Sequence, residues 1–290
     1  MDSWLSFLES IVRKASDAIM PLLGTSEGNV DMGTGAGGDV TKKIDAVAED
    51  AILSELEGTG LAMKIITEER GIIYINCSPE EDETIEIRAI IDPIDGSVNA
   101  TRNLPFFAVS IAIANGTRLK DITDAVVLNV ATGDVMTASR GQGSWLNGIP
   151  LSLAEASPRL QDALMGIDLN PKKGEFVRGN LIGEFAALVN APRKIRVLGS
   201  NALELALVAT GALDCFVDVR GSLRILDIAA AWLIVKEAGG HVFEFRSGST
   251  RVLDDLELGL GTRMAMLAAS TLELKDEIEI EWKKCLKHGR

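Results

Sequence analysis

Aromatic side chains are scarce in this chain: four tryptophans, one tyrosine and eight phenylalanines among 290 residues make up 4% of it. The core must therefore be largely aliphatic. Cysteine is rarer still, and the three present, Cys77, Cys215 and Cys285, are odd in number and far apart. That pattern excludes a disulfide framework and a close-spaced thiolate metal site, and it fits a reducing, cytoplasmic setting. Two histidines occur, His241 and His288, each isolated, so neither reads as a base or a ligand. Long apolar runs are also missing. The stretch from Ile228 to Val235 has eight residues, far short of the ~20 that a membrane helix needs. Near the amino terminus Asp2, Glu9, Arg13, Lys14 and Asp17 break up the apolar positions, so no secretory signal is expected there.

Positive charge is in deficit, with 29 basic residues against 42 acidic ones and a formal net charge of -13. Such a chain repels nucleic-acid phosphates unless a basic patch intervenes, and none is visible. A small anionic substrate would need local cations, supplied by metal ions or by arginines. The remaining composition, 47% hydrophobic and 24% charged, is that of an ordinary globular protein. The length suggests two domains, or one layered unit with two halves.

Trp4, Leu5, Leu8, Ile11, Val12, Ala15 and Ile19 recur at helical spacing and predict an amphipathic helix ending near Pro21 and Gly24. A glycine-rich stretch, Gly33 to Gly38, precedes a second helix carrying Ile44, Val47, Ala48, Ala51, Ile52 and Leu56. The glycine run lacks the Lys-Ser/Thr of a phosphate-binding P-loop and follows no expected strand, so it reads as a loop over a site. Strands are expected at Met63 to Thr67, Ile72 to Ile75, Thr84 to Ile91, Phe107 to Ala114 and Ala125 to Val130. Residues 1 to 150 thus read as an α+β half. Residues 151 to 290 read as an α/β half, with helices at Val177 to Asn190, Asn201 to Thr210 and Leu226 to Glu237, and strands at Cys215 to Val219 and His241 to Phe245.

The stretch Ile90-Ile91-Asp92-Pro93-Ile94-Asp95-Gly96-Ser97 runs from a β-branched strand into two aspartates, a proline and a glycine. Pro93 fixes its own φ and pushes Asp92 into an extended conformation, and Gly96 permits a backbone too crowded for a side chain. Asp92 and Asp95 can then converge, with the Ile94 carbonyl between them. Clustered carboxylate and carbonyl oxygens suit a hard divalent cation such as magnesium. The N–H groups of Gly96 and Ser97 are free to face an anion, with Ser97 expected at a helix cap. The same five residues also suit a plain surface turn. Upstream, a strand ends in Glu68-Glu69, which reads either as part of the same cluster or as a solvated strand end. Downstream, Asp227 opens a nearly all-apolar helix, where an acid serves as an N-cap, a metal ligand, or both.

Together these segments resemble the inositol monophosphatase family of lithium-sensitive, magnesium-dependent phosphatases. The family's first motif is present as Glu68-Glu69 followed by Asp92-Pro93-Ile94-Asp95-Gly96-Ser97-Val98-Asn99. Its second appears as Leu226-Asp227-Ile228-Ala229-Ala230 with Glu237-Ala238-Gly239-Gly240. Asp39-Val40-Thr41-Lys42-Lys43-Ile44-Asp45 and Leu198-Gly199-Ser200-Asn201-Ala202 are similar to two further family segments.

The resemblance implies the layered αβαβα sandwich of the sugar phosphatases. It makes Glu68, Asp92, Asp95 and the Ile94 carbonyl ligands of magnesium, with Asp227 joining a second ion, in a two- or three-ion site. It places Asp45 beside Ser97, and has Glu68 and the Ser97 hydroxyl activate a water that attacks phosphorus in line. Homodimers or homotetramers are implied as well. Ser97 stands where threonine is common in the animal enzymes, and Leu226 where tryptophan is common. The stretch Asp214 to Ile225 looks more like archaeal-type members that also hydrolyse fructose 1,6-bisphosphate. Arg220 and Arg224 are then candidates for holding a second phosphate, or are ordinary salt-bridge partners; Asp218 is a partner for Arg220 or an acceptor for a substrate hydroxyl. Fructose 1,6-bisphosphate and inositol 1-phosphate lead as substrates. The alternatives are 3′-phosphoadenosine 5′-phosphate or NADP, or a non-catalytic metal-binding regulatory role.

Overall fold

The computed structural model describes residues 4–156, 158–170, 185–246 and 249–288. Its elements stack in five layers, α-β-α-β-α, as the resemblance implies. The first layer is a helix pair, α1 (Trp4–Ile19) and α2 (Lys43–Glu57), whose apolar faces lie on the first sheet. In α1 the buried residues are Leu8, Ile11, Val12, Ala15 and Ile19, the helical spacing read from the sequence.

Between these helices sits a two-stranded hairpin, β1 (Asp31–Thr34) and β2 (Val40–Lys42). Here the sequence reading is corrected: the glycine run does follow a strand, and it forms the turn of that hairpin. A strand of four exposed residues, Asp-Met-Gly-Thr, carries no alternation that would reveal it.

The second layer is an eight-stranded sheet in the order β10-β9-β8-β7-β6-β5-β3-β4. Its strands are β3 (Met63–Thr67), β4 (Gly71–Ile75), β5 (Ile87–Asp95), β6 (Ala108–Ala114), β7 (Ile122–Asn129), β8 (Val135–Ser139), β9 (Gly143–Leu146) and β10 (Ile149–Pro150). The strand expected over Thr84 to Ile91 is shifted. Residues Pro79–Thr84 form a 3₁₀ helix, with Glu81 accepting the Ser78 N–H at 2.7 Å, and β5 then runs on through the Asp-Pro-Ile-Asp segment. That segment is thus a strand end, not a surface turn.

After two short helices, α3 (Ser97–Thr101) and α4 (Ala186–Asn190), come α5 (Asn201–Ala209) and α6 (Ile225–Glu237). These last two form the middle layer and are apolar nearly all round, as a helix covered on both faces must be. One hydrophobic cluster runs through them, joining Ile90 and Val127 of the first sheet to Phe216 and Met266 of the second.

The second sheet has six strands in the order β12-β11-β13-β16-β14-β15. They are β11 (Leu164–Asp168), β12 (Lys194–Arg196), β13 (Cys215–Arg224), β14 (His241–Arg246), β15 (Ser249–Val252) and β16 (Arg263–Ala269). Parallel and antiparallel pairs mix in it. The outer layer is α4 with α7 (Leu272–His288). Of the helix expected over Val177 to Asn190, Ala186–Asn190 is present, and residues 177 to 184 lie outside the described residues. Among the described residues no helix is long and apolar enough to cross a membrane.

Candidate active site

In a regular strand, residues three apart point to opposite faces. Asp92 and Asp95 escape this rule because β5 carries an extra residue: Asp92 lies opposite Ser110 and Asp95 opposite Ala108, so three steps on β5 match two on β6. Pro93 sits at this bulge, where its missing N–H breaks no ladder bond. One oxygen each from Asp92, Asp95 and Asp227 then fall within 4.8 Å of one another, all three residues buried. Glu68 joins them through register. Strands β3 and β5 are parallel with Thr67 beside Ile91, so Glu68, the residue just after β3, follows on level with Asp92.

Each acid is held differently. Asp95 accepts the Ser200 hydroxyl at 2.5 Å and the N–H groups of Ala202 and Asn201 at 2.7 and 3.1 Å. It thereby caps α5 from another strand, satisfying donors that a helix start leaves free. Asp227 is the third residue of α6, not its first. Its carboxylate accepts the N–H of Arg224, the N-cap residue, at 2.7 Å, which is the backward half of a capping box. Asp92 has neither support: both its oxygens are buried, and no hydrogen-bond partner reaches them among the described residues.

Burial and mutual repulsion raise the affinity of these acids for protons. Asp92 is pushed well above the ordinary carboxylate range by burial, then by Glu68 and Asp95. Asp95 is pushed up to about 7 by burial, then by Asp227, against its hydrogen bonds. Glu68 is raised by burial, with Arg224 opposing. A buried carboxylate trio with one member unsupported is unstable unless protons or a cation neutralise it. All-oxygen donors of this kind fit a hard divalent cation, and the residues present therefore suit such an ion.

Beside the cluster lies a cavity of about 710 Å³, lined among others by Asp39, Asp45, Glu68, Ile94, Asp95, Gly96, Ser97, Asn170 and Arg224 but not by Asp92 or Asp227. Gly96 has φ of 94° and is the N-cap of α3, so Ser97 is the first helical residue instead of the expected cap. A side chain at Gly96 would meet the Gly199 carbonyl at 3.1 Å. The Ser97 hydroxyl donates to the Ile94 carbonyl at 3.0 Å. It also lies near Asp45, which burial raises to about 6 against the Lys42 N–H and the Ser97 hydroxyl.

The glycine turn of the β1–β2 hairpin closes one side. Ala36 and Gly37 donate their N–H groups to the Glu69 and Glu68 carbonyls at 2.9 and 2.8 Å. At Gly37 a Cβ would come within 2.7 Å of Arg224 Nη1, so a side chain there would push the guanidinium aside.

The two arginines are both engaged. Arg220 binds Asp218 through Nε at 3.0 Å and Asp168 through Nη2 at 2.5 Å, and donates to the Asn170 carbonyl at 3.0 Å. Arg220 and Asp218 do not line the cavity, although Asp168 and Asn170 do. Arg224 pairs with Asp227 through Nη2 at 2.7 Å and with Glu68 through Nη1.

Several supports of the site went unread in the sequence. Buried Glu49 accepts the Thr67 hydroxyl at 2.7 Å and the Arg70 N–H at 3.2 Å, fixing the turn after β3. Glu69 accepts the Thr41 hydroxyl and is pushed up to about 7 by burial. Glu204, fully buried, accepts the Gly199 N–H at 3.1 Å and is pushed up to about 8 by burial. Asn99 donates to the Phe106 and Leu198 carbonyls at 2.7 and 2.8 Å, joining two loops at the cavity. A polar residue inside an apolar period, such as Glu49 or Glu204, was the available signal.

Residues 1–276 match the model of the inositol monophosphatase family. The chain belongs to the inositol monophosphatase family. Among curated relatives, a fructose-1,6-bisphosphatase/inositol-1-monophosphatase of Methanothermobacter thermautotrophicus is 38% identical over 281 residues, covering 95% of each chain. A bifunctional NADP phosphatase/NAD kinase of Methanococcus maripaludis is 29% identical over 91% of this chain but 46% of its own. A crystal structure of an inositol monophosphatase–fructose 1,6-bisphosphatase superposes with a TM-score of 0.78 at 26% identity, covering 96% of this chain and 99% of the other. Members of this metal-dependent phosphatase family thus share both the sequence and the layered fold of this chain.

Proposed function

We propose that the protein is a magnesium-dependent phosphomonoesterase that hydrolyses small sugar or cyclitol phosphates, fructose 1,6-bisphosphate or inositol 1-phosphate foremost. The observation that carries this reading is Asp92: a buried carboxylate with no hydrogen-bond donor among the described residues, facing Asp95 and Asp227, suits a cation. Glu68, Asp92, Asp95, Asp227 and the Ile94 carbonyl would hold two or three magnesium ions. Bound there, the ions supply positive charge to the phosphoryl oxygens and make water a stronger nucleophile near neutral pH.

The protein's own groups do the rest. Once the Ile94 carbonyl is engaged elsewhere, Asp45, ionised above about pH 6, would accept a hydrogen bond from the Ser97 hydroxyl and leave the Ser97 oxygen to accept one from the attacking water. Glu68 stands at the same wall of the cavity and orients that water from the other side. Gly96 keeps the α3 backbone close to the phosphate position. A cavity of about 710 Å³ falls within the usual small-ligand range of roughly 300–1,000 Å³ and accommodates a phosphorylated hexose or cyclitol.

The relative that joins NADP phosphatase to NAD kinase favours a second reading, in which the ester cleaved belongs to a nucleotide. Comparing phosphate release from NADP with that from the two sugar-type substrates, at fixed magnesium, separates the readings. The first predicts faster release from fructose 1,6-bisphosphate or inositol 1-phosphate; preference for NADP would replace it with the second.

A further inference from the structure

We propose that Arg224 is a built-in counter-cation of the carboxylate cluster: it occupies the cluster when metal is absent, and metal ions must displace it to bind. This rests on the metal-dependent reading above. The guanidinium bridges two acids from different elements. Nη1 donates to Glu68 at the end of β3, while Nη2 and Nε donate to Asp227 Oδ1 of α6 at 2.7 and 3.1 Å. These are two of the carboxylates assigned to the ions, so the arginine and the ions compete for the same acids.

Departure of the side chain need not disturb the backbone. The Arg224 N–H is held by Asp227 Oδ2 at 2.7 Å, an oxygen the guanidinium reaches only through a longer Nε contact at 3.3 Å, so the backbone contact that starts α6 does not depend on the guanidinium. A route outward exists as well. Nη1 is already 3.8 Å from Asp39, whose side chain is 72% exposed and lines the same cavity. The displaced guanidinium would therefore enter the space where substrate sits, still charged and free to meet an anionic group. Arg220 offers no such exchange, since Asp168 and Asp218 hold it away from the cluster.

The test is calorimetric titration of magnesium into the chelator-treated full-length protein, comparing wild type with Arg224→Met and Arg224→Lys, with circular dichroism to verify folding. Displacement predicts that Arg224→Met binds magnesium about tenfold tighter or more, and Arg224→Lys, which cannot fork across both acids, by an intermediate factor. Guanidinium chloride at tens of millimolar should weaken magnesium binding to Arg224→Met more than sodium chloride of equal ionic strength does, and leave wild type unaffected. Affinity that is unchanged or weaker in both variants overturns the proposal while keeping the metal site. If the methionine variant fails to fold without metal, the lysine variant alone decides by the same criterion. Absence of magnesium binding in wild type and variants alike overturns the metal-dependent reading itself.

Discussion

Asp95 accepts the hydroxyl of Ser200 at 2.5 Å across 105 residues of sequence. By also accepting the N–H groups of Asn201 and Ala202, an acid at the end of a strand in the first sheet becomes the cap of a helix in the middle layer. The same carboxylate faces Asp92 and Asp227. Structural support and candidate chemistry therefore share one side chain at Asp95 but not at Asp92, and the two residues should respond differently to substitution.

Asp92→Asn should all but abolish phosphatase activity, by about 10²–10³-fold, the scale seen when one electrostatic element of a reaction site is lost. It should leave the metal-free protein as stable as wild type or more so, because a buried carboxylate with no hydrogen-bond donor among the described residues is removed. Phosphate release and thermal melting in chelator check the two halves. Retained activity would take Asp92 out of the metal site.

Asp95→Ala should also abolish activity, but here the metal-free protein loses about 1–2 kcal/mol, the cost of a lost helix cap. Denaturant unfolding in chelator measures it. A stability equal to that of Asp92→Asn would show that the contacts to Ser200 and Ala202 contribute nothing.

Arg220→Met should destabilise the fold by about 3–5 kcal/mol, as expected when one partner of a buried ion pair is removed and the acids are left uncompensated. Asp168 and Asp218 are both buried, and both are bonded to this one guanidinium. Urea unfolding decides; a loss below the wild-type error would make the pairing an incidental surface contact.

Metal-free stability should fall as pH rises from about 5 to 8. Asp45, Asp95 and Glu204 are raised in the folded state to about 6, 7 and 8, from ordinary values of 3.8, 3.8 and 4.5. Between those limits the folded state holds more protons than the unfolded one, so raising the pH favours unfolding. Glu204→Gln should flatten the upper end of this profile and raise stability at pH 8, whereas magnesium should flatten the part due to Asp95. Melting temperatures across that range, in chelator and in magnesium, provide the check. A profile rising with pH in chelator would contradict it.

Local chemistry made part of this site readable. Pro93, Gly96 and the flanking acids announce a backbone irregularity, and the β-branched run before them announces a strand. What they could not announce is the register slip against β6, because a bulge is defined by its partner strand. Asp227 was readable as a helix-start acid, yet its place as third residue depends on where Arg224 leaves the strand conformation. The contacts of Ser200, Glu49 and Glu204 were invisible for the same reason: each joins segments brought together by the fold. Much of the second sheet was also hidden. Arg263–Ala269 is Arg-Met-Ala-Met-Leu-Ala-Ala, whose methionine, leucine and alanine favour helix, and pairing with β13 and β14 decides its state.

The most direct test of the account is phosphate release by the purified protein from fructose 1,6-bisphosphate, inositol 1-phosphate, 3′-phosphoadenosine 5′-phosphate and NADP, with millimolar magnesium and again with excess chelator. Release from one or both of the first two is expected, lost in chelator and restored by added magnesium. No turnover of any of the four with magnesium present, or turnover indifferent to chelator, would contradict it.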